Sequence, residues 1–125
     1  MIHTLIVALG GALGAALRHL TGLAALRLLG PNFPFGTLTV NVVGSFLMGI
    51  VVELLARRYG ASNEMRLFLA TGVLGGYTTF SAFSLDAIVL WERGAQGLAA
   101  AYVGLSVALS LAALFGGLAL ARAIF

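Results

Sequence analysis

Residues 72–84 read Gly-Val-Leu-Gly-Gly-Tyr-Thr-Thr-Phe-Ser-Ala-Phe-Ser, inside an apolar run covering about residues 65–90. A helix of that length crosses a bilayer, which takes roughly 20 mostly apolar residues. The centre of the run is nevertheless a poor helix interior. Gly75 and Gly76 precede two β-branched threonines, Thr78 and Thr79, and all four lower helix propensity. A break at this depth frees backbone carbonyls, which are tolerated only where protein, water or an ion satisfies them. Carbonyl oxygens are hard ligands, so a cation is one such partner. The competing reading keeps the helix whole and uses the glycine pair for close packing.

Working outward, three more runs qualify as spans. The first starts at Ile2 and reaches at least Leu17, and past Arg18 to Leu29. Pro31 and Pro34 then mark a turn. The second covers about residues 36–55 and ends at Arg57-Arg58. Tyr59 and a short polar loop, residues 60–64, lead into the third run, which stops at Trp91-Glu92-Arg93-Gly94. The fourth covers about residues 98–124. Trp91 and Tyr59 lie at expected helix ends, where aromatic side chains favour the lipid interface. The expectation is an all-α protein. One transmembrane domain, residues 1–125, has spans near 2–29, 36–55, 65–90 and 98–124, with the third helix broken mid-membrane.

Composition agrees. The chain is 61% hydrophobic and 9% charged, against about 25% charged in average soluble chains. So few charges do not cover a small soluble fold, which leaves much of its chain at the surface. There is no cysteine, which excludes disulfides and thiolate chemistry. The seven basic residues are all arginines, scattered between apolar runs, and form no patch for nucleic acid. The N-terminus lacks the basic region and cleavage site of a signal peptide, so the first run is expected to be retained.

Small residues recur at helical spacing: Gly10 and Gly14 in the first run, Ser45 and Gly49 in the second. That spacing lets backbones approach in lipid, where no hydrophobic effect holds helices together. With four spans both termini share a side. That side carries Arg57, Arg58, Arg66 and Arg122, and the other carries Arg18, Arg27 and Arg93. Orientation follows the difference between sides. Four against three is almost none, which leaves open both a single orientation and insertion both ways with antiparallel pairing.

A polar group in hydrocarbon is costly, so each is a candidate for function. Asn41 lies in the first half of the second span, either as a helix–helix tie or as a donor to a ligand. Phe80 and Phe83 share a helix face. Their ring edges are electropositive and can favour an anion without a fixed countercharge. Ser81 and Ser84 add hydroxyls on a neighbouring stripe. Tyr102, Ser106 and Ser110 recur every four residues and put three hydroxyls on one face of the fourth helix. Glu53 and Asp86 sit toward the ends of their spans, and His3 and His19 are isolated, so none is given a role. There is no phosphate-binding loop, metalloprotease motif or nucleophile–base pair. What remains is a lane of donors and ring edges with little charge. It suits a small anion bound favourably but not tightly.

Three stretches in this order carry a family resemblance over essentially the whole chain. They are residues 10–18, Gly-Gly-Ala-Leu-Gly-Ala-Ala-Leu-Arg; residues 35–46, Phe-Gly-Thr-Leu-Thr-Val-Asn-Val-Val-Gly-Ser-Phe; and residues 75–84, Gly-Gly-Tyr-Thr-Thr-Phe-Ser-Ala-Phe-Ser. The chain resembles the Fluc (CrcB-type) fluoride channels. The resemblance implies a passive, fluoride-selective channel that exports fluoride across the plasma membrane and relieves its toxicity, not an enzyme. It also implies an antiparallel, dual-topology homodimer with two pores, whose broken third helices meet around a structural Na⁺. The carbonyls of Gly75 and Thr78 would hold that ion. Phe80 and Phe83 would offer ring edges to fluoride, Asn41 its amide, and Tyr102, Ser106 and Ser110 a hydroxyl track. Arg18 matches the arginine of the aqueous vestibule. One departure stands out: such motifs commonly read Phe-Ser-Thr-Phe, and Ala82 replaces the threonine. The expectation is one hydroxyl fewer in the lane, with Ser81 and Ser84 able to compensate. A coupled exporter of the small multidrug type would need a carboxylate in the first helix, and a non-transporting scaffold would need none of the lane residues.

Overall fold

The computed structural model describes residues 1–58 and 62–125. Tyr59 and Gly60, expected at a helix end and a loop start, lie outside the described residues, as do the side chains of Arg57 and Arg58. The described residues contain no strand. Helix α1 is Ile2–Leu29, α2 is Phe35–Glu53 and continues through a π-helical turn, Leu54–Arg58. The next span is built in pieces: α3 (Asn63–Arg66), a π-helical segment (Leu67–Leu74), α4 (Gly75–Tyr77) and α5 (Phe80–Glu92). Helix α6 is Gln96–Ile124. Among the described residues, four stretches are long and apolar enough to cross a membrane: Ile2–Leu29, Phe35–Ala56, Asn63–Glu92 and Gln96–Ile124.

The ends of these helices follow from local chemistry. Gly30 takes φ 82° after α1 and donates its N–H to the Leu26 carbonyl at 3.0 Å. Only glycine reaches that conformation cheaply, and Pro31 and Pro34 then prevent the helix from resuming. Gly94 does the same after α5, with φ 87°, and its neighbour Ala95 donates back to Leu90 at 3.0 Å. The Ser62 hydroxyl accepts from the Met65 N–H at 3.2 Å and starts α3, a standard use of serine at a helix N-terminus.

Helices in lipid associate by close packing, and here glycines set the distances. A Cβ placed on Gly10 would stand 2.7 Å from the Phe68 carbonyl oxygen and 2.9 Å from the Gly72 Cα. One placed on Gly76 would stand 2.6 Å from the Gly11 oxygen. The backbones of α1 and the third span therefore touch, and the Gly10–Gly14 spacing serves as expected. Gly49 does the same on the other side: its Cβ would lie 2.9 Å from the Leu118 nitrogen of α6. Beyond this α2–α6 contact, Arg122 Nε pairs with Glu53 Oε2 at 3.3 Å, with Glu53 buried. The buried apolar cluster is small. Phe83, Leu90, Ala99 and Tyr102 pack with Phe33 and Leu38 where α5, α6 and the start of α2 meet. Large apolar side chains such as Leu9, Leu20, Leu111 and Phe115 point outward, as a lipid solvent requires.

Candidate ion pathway

The third span does break, but two residues later than the glycine pair. Gly75 and Gly76 remain helical, while Thr78 (φ −86°, ψ 160°) and Thr79 (φ −153°, ψ 126°) are extended. Both earlier readings of the stretch are thus partly realised. Gly76 packs against α1, and the β-branched threonines, which are at ease in extended backbone, carry the break.

The break rearranges specific hydrogen bonds. In a continuous helix the Thr79 N–H would close on the Gly75 carbonyl, four residues back. It donates instead to Asn41 Oδ1 at 2.8 Å. Asn41 Nδ2 in turn donates to the Thr79 carbonyl at 3.0 Å. One side-chain amide therefore satisfies both backbone groups of Thr79 and ties α2 to the break. The Ala82 N–H would similarly close on Thr78, but donates to Thr79 Oγ1 at 3.2 Å and caps α5. The break interrupts the helical pairs of four carbonyls, those of residues 75 to 78, and the donors diverted from Gly75 and Thr78 are the Thr79 and Ala82 N–H groups just described. The Gly76 carbonyl is covered by Arg18 Nε at 3.2 Å, a cation at a helix C-terminal end, where it is favoured.

Two cavities flank the break, and Thr79 lines both. The first, about 450 Å³, is a groove lined by Asn41, Phe80, Phe83, Ser106 and Ser110 together with Ser45, Thr78 and aliphatic side chains. The Phe80 and Phe83 ring centres are 5.5 Å apart and tilted by 49°. Their burial differs sharply: Phe83 is 9% exposed and Phe80 is 78% exposed, so half of the ring pair lies on the surface of the single chain. The Ser106 hydroxyl is buried in this groove without a hydrogen-bond partner among the described residues. A buried orphan hydroxyl is costly and marks a place where a polar ligand is welcome.

The rest of the expected lane is divided. Tyr102 is fully buried, stacks 5.3 Å from Phe83, and donates its hydroxyl to Asp86 Oδ2 at 3.2 Å. The Ser84 hydroxyl bonds back to the Phe80 carbonyl at 3.0 Å, and Ser81 sits 3.3 Å from the Thr79 hydroxyl on an exposed face. Neither serine lines the groove. Arg18 lines the second cavity, about 500 Å³, with His19, Thr37 and Ala82. Ala82 thus faces the Arg18 side of the break and not the phenyl groove. Sequence reasoning passed over Thr79 and Asp86. The signals were present: Thr79 stands where an N-terminal cap belongs, and Asp86 follows Phe83 by three residues on the same helix face.

The CrcB-like protein family, Camphor Resistance (CrcB), matches residues 5–118. A protein of Agrobacterium fabrum named "Fluoride-specific ion channel FluC" is 62% identical over 125 residues, covering 100% of both chains. Proteins with the same name from a Chelativorans species and from Cereibacter sphaeroides are 65% and 63% identical, over 99% and 98% of this chain and 99% and 97% of theirs. With a family match over nearly its whole length and relatives this close end to end, the chain belongs to the CrcB family.

Proposed function

We infer that this protein is a fluoride-specific ion channel, a multi-pass protein of the plasma membrane that lets fluoride out of the cell. It is a passive pore and not an enzyme. The observation that carries the reading is the phenyl groove. A ring pair, an amide with a second N–H to give and a buried hydroxyl without a partner meet there, and among the described residues no acidic side chain is in the lining. Fluoride leaving water needs short hydrogen bonds and electropositive edges. A fixed positive charge would hold it too long for conduction. Phe80 and Phe83 supply the edges, and Ser106, Ser110 and the free amide hydrogen of Asn41 supply the donors. Tyr102 extends the hydroxyl track toward Asp86. Ser81 and Ser84 lie beside the pathway, where the exposed ring of Phe80 leads out of the single chain.

The working unit is an antiparallel homodimer inserted in both orientations. The exposed Phe80 ring and the exposed Gly75 at the break need cover, and the near-even arginine count permits either orientation. At the two-fold axis the carbonyls of Gly75 and Thr78, stripped of their helical donors, face their counterparts and suit a small hard cation. Na⁺ there would neutralise the carbonyl dipoles and hold the two breaks together. Arg18, at the wider cavity, draws anions toward the narrow section.

Fluoride efflux from liposomes carrying the purified protein, followed by a fluoride electrode under an electrical shunt, tests the reading. Rapid fluoride release without chloride release, and with no need of a proton gradient, is expected. Well-folded protein that releases no fluoride would sink it.

A further inference from the structure

The sequence pairs Ser45 with Gly49 as small residues at packing distance, and the structure separates them. Gly49 meets the backbone of α6, with its Cβ position 2.9 Å from the Leu118 nitrogen. On the other flank, a Cβ on Gly44 would press on the Thr78 methyl at the break. Ser45 stands between these contacts, half-buried, and lines the phenyl groove with Asn41, Ser106 and Ser110.

A serine or threonine in a membrane helix can satisfy its hydroxyl on the carbonyl four residues back. Thr21 does so on Leu17 at 2.9 Å, Thr78 on Leu74 at 3.0 Å and Ser84 on Phe80 at 3.0 Å. The groove serines do not. Among the described residues, Ser45, Ser106 and Ser110 have no hydrogen-bond partner. A hydroxyl without a partner is costly away from water, so three of them around one groove favour a ligand that accepts.

Helices α2 and α6 run parallel, because their contacts advance together: Phe46 with Gly117, Gly49 with Leu118, Glu53 with Arg122. Asn41 and Ser45 are four residues apart on α2, as Ser106 and Ser110 are on α6. At about 1.5 Å per residue, each wall repeats its donor roughly 6 Å further along in the same direction. Beyond Ser45 the α2 wall becomes apolar at Met48.

We propose that Ser45 is a further fluoride-contacting residue, which donates from α2 to an ion that has passed Asn41 while Ser110 donates from α6. The proposal rests on the fluoride-channel reading. An ion stripped of water needs successive sites that bind it without holding it. Without Ser45, the α2 wall gives nothing at the second step of the groove.

Initial fluoride efflux from proteoliposomes under an electrical shunt is compared for the native chain, Ser45→Ala and Ser45→Thr, with melting of each protein followed in detergent. Alanine removes a hydroxyl that bonds nothing in the chain, so melting should stay at the native value. Fluoride flux should fall by roughly tenfold or more, as expected for a lost hydrogen bond to a charged group. Threonine keeps the donor and should stay within about threefold of the native rate. Native flux in Ser45→Ala, a threonine variant as slow as the alanine one, or a flux loss matched by lost melting overturns the role of Ser45 while the channel reading stands. A native chain that releases no fluoride overturns both.

Discussion

The two halves of the third span are held in opposite ways. Before the break, residues 67–77 lie backbone to backbone against α1, with Gly72 and Gly76 meeting Gly10 and Gly11. After it, α5 packs through rings and aliphatic side chains, chiefly Phe83 and Leu90 against Ala99 and Tyr102, and leaves Phe80, Leu85 and Ile88 on the surface. The first half is a fixed mount with no room for side chains, while the second presents chemistry outward. Asn41 joins them by bonding Thr79, which with Thr78 belongs to neither helix.

The largest break in this contrast should come from the mount. A Cβ on Gly72 would lie 2.9 Å from the Gly10 Cα and 3.2 Å from the Val7 oxygen. These are backbone atoms that cannot turn aside. Gly72→Leu should cost about 3 kcal/mol or more by overpacking and yield little folded protein, read as loss of a monodisperse peak in detergent. Gly104→Leu is the control, since nothing stands within 4 Å of that position. Equal stability of the two variants would mean that the glycine contact does not hold the mount.

Next is the joint. Asn41→Leu is similar in size but strands the Thr79 N–H and takes one of the donors from the Thr79 carbonyl. At about 1–3 kcal/mol for each unsatisfied buried group, melting should fall clearly and fluoride flux should vanish. Asn41→Asp sharpens the point. A carboxylate still accepts from the Thr79 N–H but has nothing to donate to the Thr79 carbonyl, so its stability should fall between those of the native chain and the leucine variant. If Asn41→Leu melts like the native protein, the amide is not what holds the break.

On the presenting side, function and stability should separate. Phe80 is 78% exposed in the single chain, and isoleucine in its place stays apolar. Phe80→Ile should leave melting nearly unchanged while cutting fluoride flux by roughly a hundredfold, a loss of transition-state stabilisation near 3 kcal/mol. Normal conduction by this variant would remove the ring-edge argument.

This division also explains what could be read from the sequence. Apolar length marks four spans because lipid imposes length and hydrophobicity on each helix separately. The Gly10–Gly14 contact is legible for a similar reason, since small residues at that spacing have few other uses in a membrane helix. The position of the break is not. Propensity marks Gly75 and Gly76 as the weak point, yet Gly76 is stabilised by its contact with α1 and Arg18, and the extended backbone falls at Thr78 and Thr79. Tertiary contact overrides local propensity. Likewise, Ser106 and Ser84 are the same residue type on apolar helices. Only the packing around them leaves one an orphan facing the groove and lets the other bond back to its own helix.

Ala82 gives the smallest effect and the finest test of where the narrow lane runs. The family motif places a missing hydroxyl in the lane at Ala82. In the structure Ala82 lines the Arg18 cavity, across Thr79 from the phenyl groove, and its N–H is already committed to the Thr79 hydroxyl. A threonine there adds a hydroxyl to the Arg18 cavity and none to the phenyl groove, and one extra hydrogen bond there carries a small net gain, about 0.5 kcal/mol. Ala82→Thr should therefore change fluoride flux by no more than roughly twofold, since 1.4 kcal/mol is needed for tenfold. A tenfold acceleration would put residue 82 in the dehydrated section and move the narrow lane to the Arg18 side of Thr79.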